Sequence, residues 1–217
     1  MKYFQTFRTN WREFVQNRSD VYLLSGGILF LSLVVLGISN FFGWNEARPG
    51  TVIPDPVLAL FEPIDLTWIT FIVLYGILLV IVLYMLPRPK ILLFAAYGYG
   101  LLVAVRMATM FLLPLEAPPS IIPLEDPFIA IIGGGVTLQK DLFFSGHTGT
   151  SFFFFLILEN KLLKYIMLAV TIIIGSFVLL QHVHYSIDVF SAPFFTFAVF
   201  SITRKFVSSY LSQKGII

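Results

Sequence analysis

The chain has 217 residues, 58 % of them hydrophobic and only 12 % charged, with a mean hydropathy of +0.89. Soluble domains sit nearer half apolar, so this composition excludes an ordinary soluble globule and makes lipid the expected solvent. The absence of cysteine excludes disulfides, thiolate metal sites and a cysteine nucleophile, and the net charge of +2 matters less than where the charges fall.

In chain order, residues 1–20 place Phe4, Phe7, Trp11, Phe14 and Val15 at helical spacing with basic residues between them. That pattern predicts an interfacial amphipathic helix on an anionic leaflet, with a frayed basic tail as the competing reading. With six charged residues and no apolar core, the stretch is not expected to be a signal peptide. Six apolar segments follow, at about 21–43, 65–86, 91–114, 143–158, 165–181 and 186–203. Crossing ~30 Å of hydrocarbon takes about 20 helical residues, so the last three must borrow flanking residues. The expected fold is all-α: a polytopic six-transmembrane-helix bundle, one catalytic domain over 1–217, with no internal repeat.

Eleven of the fourteen basic residues fall on one side of this alternation: Lys2, Arg8, Arg12, Arg18, Arg88, Lys90, Lys161, Lys164, Arg204, Lys205 and Lys214. The opposite loops hold only Arg48 and Lys140 among many acids. The excess of Lys and Arg predicts a multi-pass cell-membrane protein with both termini cytoplasmic and loops 44–64, 115–142 and 182–185 outside. Loop 115–142 carries four prolines, the apolar run 127–132 and Gly133, Gly134 and Gly135. Its length suggests an outer lid or re-entrant segment, with a flexible connector equally in view. No Gly-Lys-Ser/Thr follows the glycines, so they are not a P-loop.

Three features carry chemistry. His184 and Asp188 are four residues apart and share a helical face, so the carboxylate can hold one imidazole nitrogen and leave the other as nucleophile or base. An acid inside an apolar run is costly and marks a functional position in a membrane. Second, Ser145 and Gly146 stand where the fourth segment begins, a place suited to phosphate, with His147 facing it as general acid and base. Asp141 would orient His147 or cap this helix. Third, Arg106 is the only basic residue within a span and would bind a phosphate or pair with a buried acid such as Asp188. A metal site built from His182, His184, His147 and Asp188 needs all three histidines to converge and is disfavoured. No metal and no cofactor are expected.

These residues resemble a known family. Ser145-Gly146-His147-Thr148 and His184-Tyr185-Ser186-Ile187-Asp188-Val189 are similar to the two histidine motifs of the sphingomyelin synthase family, a branch of the type 2 phosphatidic acid phosphatase superfamily. Asp141 fits that branch's Asp-x-x-x-Ser-Gly-His-Thr pattern. Arg106-Met107-Ala108-Thr109-Met110 resembles its Arg-x-x-Thr-Met motif, and Pro54-Asp55-Pro56 faintly resembles its first proline/aspartate motif. Two features depart from the pattern: the proline after Arg106 comes early, and no Cys-Gly precedes Asp141. The chain also looks compact beside longer members that carry an extra N-terminal domain.

The resemblance implies that His184, braced by Asp188, attacks the phosphorus of a phospholipid headgroup ester and forms a phosphohistidine. His147 then protonates the departing diacylglycerol, and a lipid alcohol such as ceramide takes the headgroup. Glu116 is a further catalytic candidate on the same ground. The implied partners are phospholipid and lipid-alcohol substrates and the bilayer.

A lipid phosphatase or phospholipase C-like hydrolase is the alternative, and a transporter or scaffold the second. The superfamily's phosphatases carry a third-motif arginine where this chain has Val178, and a proline where it has Phe144. A monoester needs more cations than a diester, which favours headgroup chemistry unless Lys140 or Arg48 supplies the deficit. Trp44 and Tyr185 would serve a choline cage, against the more general reading of an interfacial aromatic belt. Basic residues spread along one membrane face give no sign of nucleic-acid binding. Headgroup, acceptor and oligomeric state stay open.

Overall fold

A computed structural model describes residues 2–125 and 138–212. Among these the chain forms seven α-helices and no strand: α1 (Lys2–Gln16), α2 (Arg18–Ala47), α3 (Thr67–Met85), α4 (Pro89–Leu112), α5 (Gly146–Ile157), α6 (Lys161–Leu180) and α7 (Ser186–Ser212). In hydrocarbon every backbone polar group must be satisfied within its own segment, which makes helices of the apolar runs. Local chemistry sets their ends. Asn17 and Asn160 cap α2 and α6 by accepting the N–H groups of Ser19 and Leu163. Pro89 opens α4 where a missing N–H costs nothing.

Five helices, α2, α3, α4, α6 and α7, are long and apolar enough to cross a membrane. The fourth expected span is the exception. Ser145 caps it and Leu158 leaves it in extended conformation, so α5 has 12 residues and a length of ~18 Å, short of the ~30 Å core. The extended residues 158–160 carry the chain onward. Glu159 thereby reaches the end of the bundle where Arg88 and Lys90 lie.

The core follows from this arrangement. Helix α5 packs between α6 and α7, α2 lies along α4, and α4 and α3 close the bundle against α7 and α6. Ile81, Phe144, Phe153, Ile174 and Ala192 are fully buried at the centre. At Gly98 a Cβ would stand 2.6 Å from the ring of Phe153, so the close approach of α4 and α5 requires glycine. Trp68, Phe194, Phe206 and Ile72 point outward with most of their surface exposed, as lipid-facing side chains do.

Helix α1 is docked, not frayed. Tyr3 Oη, Asn10 Nδ2 and Trp11 Nε1 donate to the carbonyls of Leu83, Pro87 and Leu86, which strap α1 across the α3–α4 turn. Phe14 packs with Leu24 and Leu93, and Arg8 and Arg12 stay exposed. At the opposite end the connecting loops bind one another. Thr51 and Leu115 form an isolated bridge, and Ile122 N–H donates to the carbonyl of Gln181. The expected lid is described only over 115–125 and 138–142, where it packs on these loops. The run 127–132 and the three glycines lie outside the described residues.

Candidate active site

Helix α4 supplies the anchor. Arg106 and Thr109, one turn apart, both reach the loop that enters α5. Arg106 Nη2 donates to Asp141 Oδ1 at 2.6 Å and Nε to the carbonyl of Phe144 at 3.2 Å. Thr109 Oγ1 donates to the carbonyl of Phe143 at 2.9 Å. The guanidinium also lies so close over Gly146 that a Cβ there would collide with it. Asp141 is therefore the partner of Arg106, not a helix cap and not a rival to Asp188. Burial pushes the Asp141 carboxyl up, but the Arg106 charge and hydrogen bond outweigh it, helped by the two histidines, and hold it below the ordinary carboxylate range.

Ser145 is the cap of α5: its Oγ accepts from the N–H and the hydroxyl of Thr148, at 3.4 and 3.1 Å. Its own N–H donates to the carbonyl of Asp188 at 3.0 Å, which ties α5 to α7. The Ser145 N–H expected at a phosphate is thus taken by Asp188, while Gly146 and His147 line the open space.

The second histidine arrives from the α6–α7 turn. Asp188, in the first turn of α7, is fully buried, and its Oδ2 accepts from the backbone N–H of Tyr185 at 3.1 Å and faces His184 Nδ1 at 3.4 Å. That leaves Nε2 as the His184 ring nitrogen turned away from Asp188. The rings of His147 and His184, from different elements, stand with their centroids 6.2 Å apart.

Two cavities meet here. A small one of about 30 Å³ touches Leu124, Gln139, Asp141, His147 and His184. A larger one of about 320 Å³ begins at Arg106, Asp141, Gly146 and His147. It runs down α5 past Thr150, Ser151 and Phe154 to Leu78, Ile81 and Met167, and its lining is mostly apolar. Its one polar patch includes Tyr99 Oη, 3.3 Å from Thr150 Oγ1. The cavity is thus apolar along most of its length, with a polar end at Arg106, Asp141 and His147.

Residues 140–205 match the family described as PAP2 superfamily C-terminal. The matched stretch holds Asp141, both histidines and Asp188. It supports the PAP2 superfamily and, with it, lipid chemistry of the phosphatase or phosphotransferase type. No curated protein matches the chain.

Other expected residues are placed elsewhere. Glu116 accepts from Lys140 Nζ and from the N–H of Gly50, both at 2.8 Å, and lines neither cavity at the histidines. Lys140 first, then the Gly50 N–H, holds its carboxyl below the ordinary value. Lys140 is spent on Glu116 and the carbonyl of Arg48. Arg48 in turn donates to the last carbonyls of α4, at Met110 and Phe111, and covers the ring of Trp44 at 4.6 Å. Neither loop cation is therefore free to supplement Arg106. Trp44 has one face under Arg48 and is stacked on Phe111, and Tyr185 is buried with its hydroxyl on the carbonyl of Glu116. No choline cage is formed by that pair. His182 Nδ1 lies 2.5 Å from Ser120 Oγ, with the ring against Phe61. Among the described residues no three His, Asp or Glu side chains are grouped as metal ligands.

One positioning residue was legible only as a faint motif. Asp55 accepts from the N–H and hydroxyl of Ser186, at 2.6 and 3.1 Å, and so caps α7 from a distant loop. Burial is the largest single influence and pushes its carboxyl up, but those bonds and the N–H groups of Leu58 and Val57 together outweigh it, and the group lies below its ordinary 3.8. A carboxylate whose folded value is depressed adds stability above its unfolded value, and that stability is lost as pH falls through the folded one. Thermal unfolding followed between about pH 5 and pH 2 should therefore show a fall in wild-type stability that Asp55→Asn flattens. Parallel curves for the two proteins would remove Asp55 from this role.

Proposed function

We propose that the chain is a membrane phospholipid headgroup phosphotransferase of the sphingomyelin synthase type. The observation that carries the reading is the pair of imidazoles 6.2 Å apart, one of which, that of His147, also lines the apolar cavity. In the first half-reaction His184 Nε2 attacks phosphorus. The P–N bond forms, the P–O bond to the glycerol carbon chain breaks, and His147 gives its proton to the departing diacylglycerol oxygen. In the second, His147 takes the proton of an acceptor hydroxyl such as that of ceramide. The acceptor oxygen attacks phosphorus and His184 leaves.

Asp188 holds His184 in the tautomer this requires. Charge supports a diester. The one guanidinium at the centre is already balanced by Asp141, which suits a single negative charge better than the nearly double charge of a monoester. The hydrolytic reading uses the same half-reaction with water as second acceptor. It keeps some favour, because the cavity's walls do not by themselves exclude water.

The test is purified protein with headgroup-labelled phosphatidylcholine or phosphatidylethanolamine, with and without ceramide. Labelled sphingolipid formed only when ceramide is added supports transfer. Free phosphorylated headgroup at the same rate in both arms overturns transfer in favour of hydrolysis.

A further inference from the structure

The end of the bundle opposite the histidines holds a second, larger cavity of about 480 Å³. It is lined by Asn10, Glu13 and Phe14 of α1, Asn17 and Asp20 at the start of α2, Arg88 to Ile91 at the start of α4, and Glu159. Its charged groups are unusual in one respect. Three acids and two bases face one space, yet the ion pairs among the described residues are Arg106–Asp141, Lys140–Glu116 and His184–Asp188, none of them here. Arg88 is held instead on Tyr84, its guanidinium carbon 3.8 Å from the ring centroid and Nη1 donating to the Tyr84 carbonyl. Asp20 is not the cap of α2, since Asn17 fills that position and its Oδ1 accepts the Ser19 N–H. Asp20 is 4 % exposed, and its buried Oδ1 has no hydrogen-bond partner.

A buried carboxylate oxygen without a donor is costly and calls for one. Opposite charges kept apart around one cavity fit a ligand that carries both. We infer that this cavity binds an aminoalkyl phosphate, the chemistry of an ethanolamine phospholipid headgroup. Arg88, Lys90 and the positive end of α4 receive the phosphate. Asp20 receives an ammonium N–H, with Glu13 and Glu159 adding negative charge around it. A choline headgroup carries no N–H and leaves Asp20 Oδ1 unsatisfied, so the site discriminates against it.

The site is distinct from the catalytic one: Lys90 and Arg106 are sixteen residues apart on α4, or ~24 Å at 1.5 Å per residue. It does not depend on the transferase reading. Strapping α1 over the α3–α4 turn builds one wall of the cavity, so an occupant there also fastens α1 to the bundle.

The experiment titrates the full-length protein in detergent with dihexanoyl phosphatidylethanolamine, dihexanoyl phosphatidylcholine or glycerophosphoethanolamine, using a His184→Asn background to prevent turnover. The ethanolamine lipid should bind at least ten times more tightly than the choline lipid. Asp20→Asn should remove most of that difference. Equal binding of the two lipids, or unchanged binding and selectivity in Asp20→Asn, overturns the proposal. Should Asp20→Asn fail to fold, the exposed variants Glu159→Gln and Lys90→Gln decide. Weakened ethanolamine binding in either supports the site, and wild-type binding in both overturns it. Glycerophosphoethanolamine binding as tightly as the lipid supports the site with a soluble ester as its occupant, and weaker binding supports it with the lipid.

Discussion

Headgroup release by His184→Asn is expected to fall by at least about 10⁴-fold, because the group that would bond to phosphorus is gone while the cavity and Arg106 remain. His147→Asn should fall by roughly 10²–10⁴-fold, the range for loss of a general acid. The two variants should also differ in kind. With a substrate labelled in its headgroup phosphate, His147→Asn should still accumulate an acid-labile, base-stable labelled protein, slowly, and His184→Asn none. The measurement is single-turnover labelling under alkaline quench, beside thermal unfolding to establish that each variant is folded. Labelled protein formed by His184→Asn would end the phosphohistidine route. Asp188→Asn belongs to the same experiment. It keeps His184 in place but removes the charge beside Nδ1, so turnover should fall without loss of lipid binding.

Arg106→Leu is expected to be the most destabilising single change at the site. It leaves the Asp141 carboxylate poorly solvated and unpaired, a loss of about 3–5 kcal/mol for a buried ion pair broken on one side. It also frees the carbonyl of Phe144, and with it the loop that positions Gly146 and His147. The double variant Arg106→Leu/Asp141→Leu should recover much of the stability, since two apolar groups replace a buried pair at little cost. It should recover none of the activity, because the phosphate still lacks its guanidinium. Thermal unfolding and headgroup release, measured on both single variants and the double, separate the two effects. Stability that fails to recover in the double variant would mean that Arg106 acts mainly through the Phe144 carbonyl. Activity that returns with stability would remove Arg106 from phosphate binding.

Glu116 and Asp55 show where reading residues in order stops. Glu116 is a catalytic candidate by resemblance, yet its carboxylate sits between Lys140 and the Gly50 N–H, bracing loops 44–64 and 115–142 against each other. Asp55 was a fragment of a weak motif, yet it caps the helix that carries Asp188. Both roles depend on partners 24 to 131 residues away, and no local spacing encodes them. Arg48 and Lys140 were counted as spare cations for the same reason. Their partners are carbonyls near the end of α4, the Arg48 carbonyl and the Glu116 carboxylate, 24 to 92 residues away. Arg106 and Asp141 were each named, but not as a pair, because 35 residues separate them.

Local order determined the rest. Long apolar runs become helices wherever water is absent, since no other open structure satisfies the backbone. The His184–Asp188 contact follows from a four-residue spacing on or beside one helical turn. Tertiary structure alone decided the 12-residue length of α5 and the 6.2 Å gap between rings from separate elements. It also decided which of the scattered charges are bound to one another. The physical reason is that helices are specified by neighbours in the chain. Distances between helices, and the pairing of loop charges, are set by side-chain packing and by contacts that form only when the bundle closes.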